Sequence, residues 1–163
     1  MSQTILVPID LNQPAVLESV FQAVRRQAEI EPTQVVLLHV VIESYAGELP
    51  YLDVNAMERF AVQARVRLEQ IATEQLGEEG NWQVNVELGP VARTIVRHAD
   101  LVDADLIVMA SHNPVIWDVF LGSTAAQVVK HARHSVLVIR QATSKIEPVE
   151  DLAETSEPTS MDS

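Results

Sequence analysis

Cysteine is absent from the 163-residue chain, which removes disulfides, thiol catalysis and thiolate metal sites. Positive charge is scarce. Eleven Lys and Arg stand against 23 Asp and Glu, a net charge of −12, and broad contact with DNA or RNA needs the opposite balance. No stretch of 18 or more apolar residues occurs, so no spanning helix is expected. The opening "MSQTILVPID" carries no charged region ahead of its apolar residues and is read as a strand, not a secretion signal. A cytoplasmic protein is the expectation. Glycine is sparse as well, with five residues in all. "PIDLNQPAV" after the first apolar run has none, and no G-x-x-x-x-G-K-[ST] motif exists. The usual dinucleotide fingerprint and the P-loop are therefore excluded. The five histidines (39, 98, 112, 131 and 134) are scattered; His131 and His134 lie three apart without an evident third ligand. No serine sits in a nucleophile elbow.

What is present is a regular alternation. "TILVPI" (4–9), "QVVLLHVV" (34–41), "DLIVMAS" (105–111) and "SVLVIR" (135–140) are apolar runs, and "WQVNVEL" (82–88) alternates in polarity. Continuous Val, Ile and Leu suit strands covered on both faces, while alternation suits an edge strand with one wetter face. Helical spacing fills the intervals. Asn12 is the expected N-cap of a helix whose apolar positions are Val16, Val20, Val24 and Ala28. Over 54–76, Met57, Phe60, Ala61, Ala64, Leu68 and Ile71 form a stripe, ended by Gly77 and Gly80. Val91, Ile95, Ala99 and Val102 mark a third helix behind Pro90, and Ala125, Val128, Val129 and Ala132 a short fourth.

The pattern β-α-β-α-β-α-β-α-β predicts an α/β fold: a five-stranded parallel sheet of order 3-2-1-4-5, doubly wound with four helices and Rossmann-like. Ligands bind such sheets beyond the strands' carboxyl ends, where the winding reverses. Here that point lies between "VPID" (7–10) and "VMASHN" (108–113). The expected organisation is one domain over 1–140, with an acidic, disordered tail over 141–163 carrying six acids against Lys145 alone. Residues 42–53 form the longest internal connection and read as a flap.

At the switch point, Asp10 has two readings: a ligand for ribose hydroxyls or a phosphate-bound Mg²⁺, or a turn residue beside Asn12. Gly122, Ser123 and Thr124 open the last helix, where free N–H groups and a partial positive charge suit an anion. The plainer alternative is that Ser123 caps the helix and Gly122 turns the chain. His112 and Asn113 can donate to phosphate or ribose oxygens, or be merely solvated. His39, inside an apolar strand, reads as a satisfied core residue, and Trp117 as a packed one.

The segments "ILVPID" (5–10), "VLLHVV" (36–41), "DLIVMASHN" (105–113), "LGSTAAQVVKHA" (121–132) and "SVLVIR" (135–140) together resemble the universal stress protein family, in the right order over residues 3–140. The resemblance implies a fold akin to the adenine nucleotide alpha hydrolases. It implies a homodimer paired through the last strand (135–140), and binding of ATP, or of AMP or ADP, with Mg²⁺ a possible companion. That family's nucleotide motif is a glycine, two residues, a second glycine, nine residues, then Gly-Ser or Gly-Thr. Here Ala110 and Asn113 replace the glycines, only eight residues separate Asn113 from Gly122, and Gly122–Ser123 match. The altered loop is similar to that of a bacterial subgroup with S-[HR]-x-P. Asn tolerates left-handed backbone angles and brings its own donor.

By that resemblance Pro8 and Asp10 flank the nucleoside, with Asp10 near ribose or metal. Val40 offers backbone groups to the adenine edge, and Met109 packs nearby. Ala110, His112, Asn113, Gly122, Ser123 and Thr124 surround the phosphates. None is an evident general base, so any hydrolysis is expected to be slow. The implied role is a nucleotide-dependent stress-response regulator. A nucleotide-free dimeric interaction module and a slow ATPase phosphorylating itself at Ser123 or Thr124 stand as alternatives.

Overall fold

The computed structural model describes residues 2–42, 54–111 and 121–140, with backbone alone for 54–56. The connection 43–53, the loop 112–120 with His112, Asn113 and Trp117, and the tail 141–163 lie outside the described residues. The strands are β1 (Gln3–Pro8), β2 (Thr33–Val41), β3 (Trp82–Leu88), β4 (Leu106–Ser111) and β5 (Ser135–Arg140). The helices are α1 (Leu17–Ala28), α2 (Val54–Leu76), α3 (Val91–Leu101) and α4 (Ser123–His131). All pairings are parallel, in the order β3-β2-β1-β4-β5.

The apolar runs are continuous because both sheet faces are covered. Ile5, Val7, Leu37 and Val108 point to one face, joining Phe21 and Val24 of α1 and Leu68 and Ile71 of α2. Their neighbours Leu6, Val36, Leu38 and Ile107 point to the other, joining Ile95 and Ala99 of α3 and Val128 of α4. Alternation at period two divides each run between two cores, and each fully buried Leu, Ile or Val contributes roughly 1.5–3 kcal/mol.

Three local details differ from the sequence reading. The chain enters α1 through a 3-10 turn, Pro14–Val16, and Asn12 does not cap it; the Asn12 amide instead donates to Asp10 Oδ1 at 3.0 Å. Pro14 cannot donate, so the short side chain of Asp10 organises the turn ahead of it. Phe60 is 51% exposed and leaves the predicted stripe, while Ala64, Leu68, Ile71 and Ala72 are buried. The helix presses on the sheet through its second half. At the start of α4 Gly122 is the N-cap and no side chain makes a capping bond, so Ser123 is the first helical residue and not a cap.

The two sheet edges are unlike. Val35 N–H donates to Asn81 C=O at 2.9 Å, so odd-numbered residues of β3 face β2 and the even ones face outward. Onto that outer edge Arg65 of α2 donates to Val84 C=O at 3.4 Å. Every apolar residue of β5 is half-buried.

Candidate functional site

The cleft begins where two strands part. β1 follows β2 through six residue pairs, Gln3↔Thr33 to Pro8↔Leu38, yet it pairs with β4 only at Ile5↔Leu106 and Leu6↔Ile107. Near that pairing Asp105 Oδ2 accepts from Thr4 N–H at 2.8 Å, and Asp105 N–H donates to Thr4 C=O at 2.9 Å. Beyond Leu6 the strands no longer hold each other. α1 leaves β1 towards one face and α4 follows β4 on the other, so nothing from the sheet fills the gap between their carboxyl ends. A cleft of approximately 370 Å³ opens there, within the range of small-ligand sites.

Eight of the residues singled out from the sequence line this cleft: Pro8, Asp10, Val40, Met109, Ala110, Gly122, Ser123 and Thr124. His112 and Asn113 lie outside the described residues. Asp10 is exposed and held in one orientation. Oδ1 accepts from Asn12 N–H, Oδ2 accepts from the Gln13 amide at 3.2 Å, and Gln13 N–H donates to Asp10 C=O at 3.0 Å. The turn reading is observed; it occupies two of the about four acceptor positions of an ionised carboxylate and leaves the others free.

Val40 contributes backbone. Leu38 C=O accepts from Ile9 N–H at 2.8 Å, and alternation directs the N–H and C=O of Val40 to the same side. β1 has ended at Pro8 by then, and Ile9 C=O is engaged by the His39 ring nitrogen Nδ1 at 2.9 Å. His39 is thus hydrogen-bonded, as the sequence suggested, but it sits on the cleft wall.

At the far wall α4 presents its N-terminus. Its first turn holds no acid and its last turn holds Lys130 and His131, an arrangement that leaves the positive end of the helix dipole unopposed. Gly122 N–H donates to the Ser111 hydroxyl at 3.1 Å, so an oxygen of the chain itself sits on the donor expected to meet phosphate. Ser111 and Gln13 were not singled out from the sequence, and Asn12 was, but only as a helix cap and turn neighbour of Asp10. Ser111 adjoins the "SHNP" loop and Gln13 follows Asp10 by three residues, but neither spacing discloses a contact. Apolar walls come from Val16, Val20, Ile95 and Met109.

The model of one family, the universal stress protein family, matches residues 1–140. This chain belongs to the universal stress protein family. It is 30% identical over 146 residues to universal stress protein G of Salmonella typhimurium, a match covering 86% of this chain and all of that protein. Among solved structures it is similar to universal stress protein UspA from Lactobacillus plantarum, with 26% identity and a TM-score of 0.62 over 85% of this chain and 97% of that one. A universal stress protein from Archaeoglobus fulgidus, solved in complex with dAMP, shares the fold at 19% identity and a TM-score of 0.59, over 84% and 97% of the two chains. Another universal stress protein, solved with cAMP, does so at 20% identity and a TM-score of 0.52, over 85% and 96%. Among the described residues, no group of three His, Asp or Glu side chains is placed to hold a metal ion, and no helix is long and apolar enough to cross a membrane.

Proposed function

We propose that residues 1–140 form an adenine-nucleotide-binding module, ATP included, that acts as a nucleotide-dependent regulator in a stress response. The observation that carries this reading is the cleft itself: one wall has a fixed carboxylate, Asp10, and the other an unopposed helix N-terminus at Gly122–Thr124. A carboxylate suits ribose hydroxyls or a hard cation, helix N–H groups suit phosphate, and Val40 offers a backbone donor and acceptor to a base edge. Relatives of the same fold solved with dAMP and cAMP support the ligand class. Regulation, not turnover, fits side chains that hold a ligand and supply no strong base. Homodimerisation through β5 belongs to the same reading, since a parallel edge of apolar residues is covered by pairing with its twin. Heat release of the purified protein followed by mass analysis of the supernatant tests it: a copurified adenine nucleotide is expected, or heat on titration with ATP-Mg²⁺. No heat at millimolar ligand and no released nucleotide would end this reading.

A second reading, a nucleotide-free dimeric interaction module, is favoured by one specific contact. The Ser111 hydroxyl already satisfies Gly122 N–H, as an anion seat that no longer receives a ligand would require. Removing that hydroxyl separates the two. If phosphate competes for the donor, Ser111→Ala changes nucleotide affinity; if the bond is only a lock, the variant loses stability and binds nothing.

A further inference from the structure

We infer that the cleft accepts adenine ligands of low phosphate charge, a nucleoside monophosphate or its cyclic form, and accepts a triphosphate only when a divalent cation accompanies it. This deepens the nucleotide reading above and rests on it.

The argument is about where positive charge lies in the chain. Three segments build most of the cleft: the end of β1 with the start of α1, the end of β2, and the end of β4 with the start of α4. The sequence has no Lys or Arg in residues 1–24, 27–58 or 98–129, which contain all three segments and the loop 112–120. α3 contributes Val91 and Ile95 to the lining, and Arg97 of the same helix is turned to Glu87, with Nη2 2.8 Å from Oε2. Among the described lining residues the donors for an anion are backbone N–H groups, the hydroxyls of Ser123 and Thr124, the side-chain amides of Asn12 and Gln13 (the latter already donating to Asp10) and the ring of His39, and none is a Lys or Arg. The one formally charged side chain among them is the carboxylate of Asp10.

A neutral donor set distinguishes ligands by charge. The α4 N-terminus offers about half an elementary charge, enough to favour one phosphate. A triphosphate brings further negative charges into a crevice whose fixed ion is also negative, inside a chain of net charge −12. Nothing in those segments offsets them as the lysine of a P-loop does. A divalent cation reverses the sign of the Asp10 interaction, because a carboxylate and phosphate oxygens form the hard-oxygen set that such ions take. Asp10 then attracts the cation-bound triphosphate and repels the free one.

The test is calorimetric titration of the full chain at about pH 8, where an ordinary histidine is largely neutral. The ligands are AMP, cyclic AMP, ATP in EDTA and ATP with excess Mg²⁺. We expect AMP or cyclic AMP to bind at least about tenfold more tightly than ATP in EDTA, and Mg²⁺ to recover most of that difference for ATP alone. Asp10→Asn keeps an oxygen for the Asn12 amide, so a melting curve should show it folded. It is expected to bind metal-free ATP several-fold better and to lose the Mg²⁺ response. ATP in EDTA binding as tightly as AMP, or a Mg²⁺ response unchanged in Asp10→Asn, overturns this inference while leaving nucleotide binding intact. Binding of none of the four ligands removes the parent reading, and this one with it.

Discussion

Gly122 is a glycine on the cleft wall at a helix start, where one substitution tests the proposed phosphate seat. It starts α4, and its N–H faces the Ser111 hydroxyl. A branched side chain there stands where phosphate oxygens would approach, without interrupting the helix behind it. Gly122→Val is expected to weaken AMP or ATP-Mg²⁺ binding by at least about tenfold in calorimetry with the far-ultraviolet dichroism unchanged. His98 is the opposite case, a buried polar group outside the cleft. Its side chain is 7% exposed, and Nδ1 lies 3.4 Å from Glu87 Oε1 without the alignment of a hydrogen bond; among the described residues neither ring nitrogen has a hydrogen-bond partner. Replacing such a group by an apolar one of similar size relieves a desolvation cost. His98→Leu is therefore expected to leave stability unchanged or raise it by about 1 kcal/mol in urea titration. A loss beyond about 1 kcal/mol would show that the Glu87 contact outweighs the burial.

The elements show what local pattern can and cannot disclose. Strand order was legible because continuous apolar runs alternating with helical spacing leave little choice but a doubly wound parallel sheet, and the expected bounds of β3 and β5 match the observed ones. The first turn was not. Asn12 and Asp10 both have side chains suited to this turn, and the structure uses Asp10 to accept from Asn12 N–H while no side chain caps the 3-10 turn that follows. Phe60 was misjudged because a spacing of 3.6 residues locates a face but not the point at which a long helix meets the sheet. The switch-point rule and the family resemblance named ten candidate residues, of which eight line the cleft and two, His112 and Asn113, lie outside the described residues. Ser111 escaped, because a hydrogen bond across eleven residues leaves no trace in spacing. A prediction at this scale concerns α2. Leu68 is fully buried in the α1–α2 layer and does not line the cleft. Leu68→Ala should cost roughly 2–5 kcal/mol in chemical denaturation. Its nucleotide affinity should stay unchanged, which fails if α2 helps to hold the cleft.

For the whole molecule the open matter is assembly, and the two edges of the sheet decide how it proceeds. β5 offers an apolar edge, and light scattering at micromolar concentration is expected to give twice the 18.0 kDa mass of the chain. A monomeric mass would contradict the pairing. β3 presents the other edge, with the outward carbonyl of Val84 already taken by Arg65. Two open edges on one sheet would let copies join without limit, each newcomer exposing a fresh template. If two copies meet through β5 about a twofold axis, the composite sheet would end on both sides at β3, where Arg65 donates to the outward carbonyl of Val84. In that assembly the guanidinium of Arg65, unremarkable in any account of the cleft, would occupy a carbonyl that a further strand needs in order to add.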